Sequence, residues 1–96
     1  MKVGIDMFRL WAKLWKENRL LQDIVICYDN NDTRTHKIFN AIEQVCREFD
    51  LSKPIWLESN IIEFKKHAKT RFSSDHFVDE INFDFLEIHI IEEDDI

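Results

Sequence analysis

The segment between Asp32 and Pro54 does most to limit what this chain can fold into. Ile38, Phe39, Ile42, Val45, Cys46 and Phe49 recur at helical spacing, while Asn40, Glu43, Gln44, Arg47 and Glu48 take the opposite side. That pattern predicts an amphipathic helix of about four turns. Asp32 or Thr33 can accept hydrogen bonds from its first-turn amides. Pro54 stops it soon after Asp50, because proline lacks a backbone N–H and restricts Lys53 before it. A helix with one apolar stripe needs a second layer to cover that stripe. In a chain of 96 residues the cover must come from the same domain. Hydrophobic residues make up 45% of the chain, and Phe and Trp account for all but one of the aromatics, so a core of ordinary size is available. A chain of this length hides roughly two-thirds of its unfolded surface.

The covering layer is expected to be a sheet. From Phe8 to Trp15, Phe8, Leu10, Ala12 and Leu14 line one strand face, and Arg9, Trp11, Lys13 and Trp15 the other. A helix fits Met7, Leu10, Trp11, Leu14 and Trp15 equally well. The polar break Lys16–Arg19 and the β-branched run Ile24-Val25-Ile26 favour a hairpin. Ile55-Trp56-Leu57 is a short apolar plug. Asn60, with Glu63 three residues on, resembles a capping box opening a shorter helix to about Lys69. Ile61, Phe64 and Ala68 should face inward there. Thr70–Phe77 reads as irregular or briefly extended. Ile81, Phe83 and Phe85 alternate with Asn82 and Asp84, and the phase then slips before Leu86, Ile88 and Ile90. Such a slip predicts a bulge or turn ahead of the last strand.

The expected fold is α+β: a small three-stranded antiparallel sheet in β-β-α-α-β order, with two helices packed on one face. Residues 1–96 form one domain, with 1–6 as an N-terminal extension and 92–96 as a frayed acidic end. Three strands leave Trp11 and Trp15, beside Arg9 and Lys13, on a face that nothing in the pattern covers. Trp and Arg are enriched at interfaces, so these four residues are the candidate partner-binding surface, for another protein or for a second copy of the chain.

Charge is distributed unevenly. The total is −6, yet residues 72–96 hold nine acidic residues and no Lys or Arg. Asp79, Glu80, Asp84, Glu87, Glu92 and Glu93 form a candidate acidic surface. Lys65, Lys66, Lys69 and Arg71 form a basic cluster. A small basic cluster in an acidic chain does not provide the positive stripe of a nucleic-acid binder, and direct nucleic-acid binding is not expected. The converse is an alternative: an acidic protein imitating a phosphate backbone in a basic groove, as small inhibitors from mobile elements do.

Tests for chemistry give little. His36, His67, His76, His89, Cys27 and Cys46 lack the local ligand pairing of common zinc sites. A small metal-binding protein or enzyme around His76, His89 and their carboxylate neighbours is a second alternative only. Asp29–Asp32 begins like a calcium loop, but Arg34 stands where its glycine belongs and Asn40 where its bidentate Glu belongs. Ser73-Ser74-Asp75-His76 has triad letters, but triad members converge from separate elements. With a single glycine, a phosphate-cradling loop is excluded. No enzyme activity, metal or cofactor is expected. Cys27 and Cys46 read as buried free thiols. No signal peptide or membrane-length apolar run is present, and a cytoplasmic location is expected.

Arg34-Thr35-His36-Lys37, Phe49-Asp50-Leu51-Ser52-Lys53-Pro54-Ile55-Trp56-Leu57 and Ile81-Asn82-Phe83-Asp84-Phe85-Leu86-Glu87-Ile88 resemble a family of short uncharacterised proteins from Gram-positive, largely clostridial, bacteria. The resemblance runs from Met7 onward. It implies a bacterial cytoplasmic origin and a self-contained domain, and carries no catalytic residue with it.

Overall fold

A computed structural model describes residues 7–29 and 32–93. The expected extension at 1–6 and the last three residues of the acidic end lie outside the described residues. Strand β1 (Phe8–Lys16) and strand β2 (Arg19–Tyr28) form the expected hairpin. Helix α1 (Arg34–Phe49) and helix α2 (Glu58–His67) follow. Strand β3 (Lys69–Phe72), a single 3₁₀ turn and strand β4 (Phe85–Glu93) complete the chain. The sheet is antiparallel throughout, in the order β2-β1-β4-β3.

The α+β class and the two helices are as expected, but among the described residues the sheet has four strands, not three. The addition is β3, placed where the sequence reads as a helix end followed by irregular or briefly extended chain. Ala68 ends α2 in the left-handed conformation, with φ 56°. Its carbonyl accepts from the Ile90 amide at 2.8 Å, which turns the chain straight into the pair with β4. Thr70 and Phe72 then point inward while Lys69 and Arg71 point outward. Four residues are too few for that alternation to stand out in a sequence.

Thr33 caps α1, its side chain accepting from the His36 amide at 3.2 Å. Asp50 closes the helix in the left-handed conformation. Helix α2 begins two residues before Asn60, so Asn60 is not its cap. It occupies the third helical position, and its side-chain oxygen reaches back to accept from the Leu57 amide at 2.9 Å. Its amide nitrogen donates to the Thr70 hydroxyl at 2.9 Å and to the Arg71 carbonyl at 3.0 Å. Buried Asn60 therefore ties α2 to β3, and Ile61, expected inside, is exposed.

Phe8, Leu10, Ala12 and Leu14 of β1 meet Leu86, Ile88 and Ile90 of β4 and Ile38, Ala41, Ile42, Val45 and Cys46 of α1 in one core. Burying each large side chain of this set contributes about 1.5–3 kcal/mol. The phase slip falls at the first two residues of β4, Phe85 and Leu86, which pair in continuous register with Trp15 and Leu14, so no bulge lies there. A bulge interrupts β4 later, where the register shifts between Arg9 and Leu10.

The hairpin turns through Glu17 and Asn18, both with positive φ (53° and 63°). That is the type I′ pattern, whose twist matches the strands and which favours Asn-Gly. Asp84 holds the turn from outside. Its carboxylate accepts from the Glu17 amide at 2.7 Å, and its own amide donates to the Trp15 carbonyl at 2.8 Å. Glutamate is a poor residue for a left-handed position. Changing Glu17→Asn with Asn18→Gly is expected to raise stability by about 1 kcal/mol, measured by urea unfolding; an unchanged or lower midpoint would contradict the assignment of strain to this turn.

Candidate functional site

Because β1 and β4 alternate, every residue they turn away from the helices lands on the opposite side of the sheet. Neither helix packs on that side. The register sets its residues in rows across the strands. One row runs Asp23, Lys13, Glu87, Arg71, and a second runs Val25, Trp11, His89, Lys69. A third runs Leu20, Trp15, Phe85. The first row alternates in charge through four strands.

Glu87 sits at the centre of this face. Its Oε1 accepts from the Trp15 indole N–H at 3.1 Å and lies 3.3 Å from Lys13 Nζ; its Oε2 lies 3.5 Å from Arg71 Nε. Although on the open side, Glu87 is only 5% exposed, with Trp15, Lys13 and Arg71 against it. Burial pushes its carboxyl pKa up, but the Trp15 hydrogen bond, the Lys13 contact and the Arg71 charge outweigh this and hold it below the ordinary value. Around it, Lys13 Nζ lies 3.9 Å from the centre of the Trp11 ring, and the Arg71 guanidinium 4.5 Å from that of Phe85. The Trp11 indole donates to Asp23 at 2.8 Å. His89 has a lowered pKa, through burial first and then the charges of Lys13 and Lys69. It stands neutral between two cations at neutral pH.

The four partner-binding residues read from the sequence thus share one face. Arg9 is exposed, and Trp11, Lys13 and Trp15 are half-buried. The other two expected groups do not hold together. The basic cluster splits, with Lys65 and Lys66 on α2, and Lys69 and Arg71 on the open side of β3. The acidic surface splits as well. Asp79 and Glu80 are exposed in the loop before β4, Asp84 binds the hairpin turn, and Glu87 is buried and neutralised. Glu92 pairs with Arg9 in the backbone register, and the side chains of Glu92 and Glu93 lie outside the described residues.

Cys46 is buried as expected, with its thiol pKa pushed up to about 11 by burial. Cys27 is exposed instead, because it lies opposite Arg9 on the helix-free side of β2. Among the described residues, no group of three or more His, Cys, Asp or Glu could hold a metal ion. His36 pairs with Asp32 at 3.0 Å, and His76 accepts from the Ser73 amide at 3.0 Å. Among the described residues, no helix is long and apolar enough to cross a membrane.

The sequence points to Trp11, Trp15 and a free edge or face of the sheet, but it missed Phe85 and does not say that β2 forms that edge. Among the described residues that ten-residue strand pairs only with β1; it exposes Leu20, Leu21 and Val25 and carries no charge besides Arg19 and Asp23. The Ile24-Val25-Ile26 run was legible, but its position at an edge depends on the sheet order. Comparison of the chain with protein-family models, curated proteins and solved structures finds no match.

Proposed function

We propose that this chain is a small non-catalytic interaction module that binds a protein partner through the open sheet face and the adjoining edge of β2. The observation that carries the reading is the edge itself. A strand about 33 Å long by its rise per residue, without proline or lysine and with three exposed aliphatic residues, carries few of the devices that normally blunt an edge, a bulge at Leu21 and the charges of Arg19 and Asp23. A partner strand added there would satisfy the outward amides and carbonyls. Its side chains would extend the rows that hold Val25, Trp11 and Trp15. A bacterial cytoplasmic protein of this kind is what the resemblance to short Gram-positive proteins implies. The alternative reading, imitation of nucleic acid, draws less support, because its central carboxylate, Glu87, is already neutralised by Lys13 and Arg71.

The first partner to test is a second copy. Light scattering at low and high salt should report a dimer that survives high ionic strength, since apolar association is not screened. Leu21→Lys with Val25→Lys, both at exposed positions, should return it to monomer, and Trp11→Ala with Trp15→Ala should weaken it. Association unchanged in both variants would remove this surface from consideration. A wild-type monomer at both salts moves the test to a foreign partner, captured from a bacterial lysate by the wild type and lost with the lysine pair.

A further inference from the structure

On the other side of the sheet, the helices leave a second feature that the interaction surface does not use. Between the first turns of α1 and the body of α2 lies a groove of about 310 Å³, within the range of small-molecule sites. Ile38 and Phe64, both buried, belong to the core and to its lining. Trp56, from the plug between the helices, also lines it. Its ring stands edge-on to Phe64 at 5.5 Å and to Phe39 at 6.2 Å. Phe39, at an inward position of the α1 pattern, is nevertheless 53% exposed as part of this lining.

The charged members of the groove have one sign. Among the described residues Arg34 and Lys65 line it and no carboxylate does, although the chain has six more acidic than basic residues. The Arg34 guanidinium lies 5.6 Å from the centre of the Phe64 ring. Lys65 is exposed and pairs with no carboxylate among the described residues. Trp11 and Trp15 each donate an indole N–H to a carboxylate, whereas Trp56 donates to no described residue. An apolar, aromatic lining with two cations and a spare N–H donor complements one ligand chemistry: a compact apolar body ending in a single anionic group.

We propose that the α1–α2 groove binds a small anionic amphiphile, an alkyl or aryl carboxylate. The apolar part lies against Trp56, Phe39 and Ile38, and the carboxylate meets Arg34 and Lys65. This reading is independent of the sheet face and stands or falls without it.

Titration with decanoate, followed by the three indole N–H resonances in ¹⁵N-correlated spectra, tests it; Trp11→Phe and Trp15→Phe assign the signals. Decanoate should shift the Trp56 signal saturably and leave those of Trp11 and Trp15 in place. Decyltrimethylammonium, with the same tail and opposite charge, should bind more weakly by tenfold or more. Arg34→Gln with Lys65→Gln, both at exposed positions that leave the core intact, should weaken decanoate by about tenfold or more, the size of charge-assisted contacts, and should not weaken binding of the cation. The proposal is overturned by equal binding of the two detergents, by unchanged affinity in the double variant, or by no saturable shift. Shifts given only by an acidic peptide would overturn it in favour of a protein occupant.

Discussion

Glu87→Ala is expected to cost about 3 kcal/mol at neutral pH, the loss that follows when one member of a buried charge group is removed. Lys13, whose side chain is 13% exposed, would then hold an uncompensated cation, and the Trp15 indole would lose its acceptor. Urea unfolding measures the loss directly, and a loss below about 1 kcal/mol would contradict a structural role for the cluster. Acid provides a second check. The Glu87 carboxyl pKa lies below its ordinary value of 4.5, so its contribution is complete above the unfolded value and is lost as pH falls through the folded one. The gap between wild type and Glu87→Ala should therefore shrink on acidification below pH 4.5. Adding Lys13→Met to the variant should recover part of the loss, because the stranded charge goes with it.

Phe72→Ala is expected to be at least as damaging, at about 3–5 kcal/mol. Phe72 is fully buried on β3 and meets the Trp56 ring edge-on at 5.1 Å and the His76 ring at 5.6 Å. Since domains of this size hold about 5–15 kcal/mol in total, the variant could be largely unfolded at ambient temperature. Phe72→Leu, which keeps most of the volume, should cost less and stay folded, so the pair of midpoints reads the packing contribution. If Phe72→Ala unfolds at the wild-type urea midpoint, the fourth strand is not part of the cooperative unit.

What could be read from the sequence follows from the length of each pattern. The hairpin and α1 span enough residues for the two-residue and 3.6-residue periods to show, and Thr33 and Pro54 mark the ends of the helix. Strand β3 showed only as a segment irregular or briefly extended, because Lys69–Phe72 offers two alternations and follows a helix without a break. Asn60 misled because its letter fits a cap, while its side chain serves a position three residues into the helix. For the site, Arg9, Trp11, Lys13 and Trp15 were legible as one face of one strand. Glu87 was counted as free acid because a sequence shows charge but not cross-strand neighbours. Only the register sets it between Lys13 and Arg71, and only the sheet order makes β2 an edge.

The sheet order also has a bearing on how the chain reaches its fold. Its two central strands are the first and the last, and Trp15 and Glu87, which bond across them, stand 72 positions apart along the chain. Closing so long a loop costs entropy before any contact between the strands is gained, and folds dominated by such distant pairings form slowly. During synthesis the hairpin and both helices emerge before the strand that completes the middle of the sheet. In that interval β1 has one edge unpaired as well as β2, and Leu10, Ala12 and Leu14 lack Leu86, Ile88 and Ile90. The nascent chain is therefore at its most adhesive just before its last strand arrives, and a chaperone holding the exposed hairpin would act at that stage.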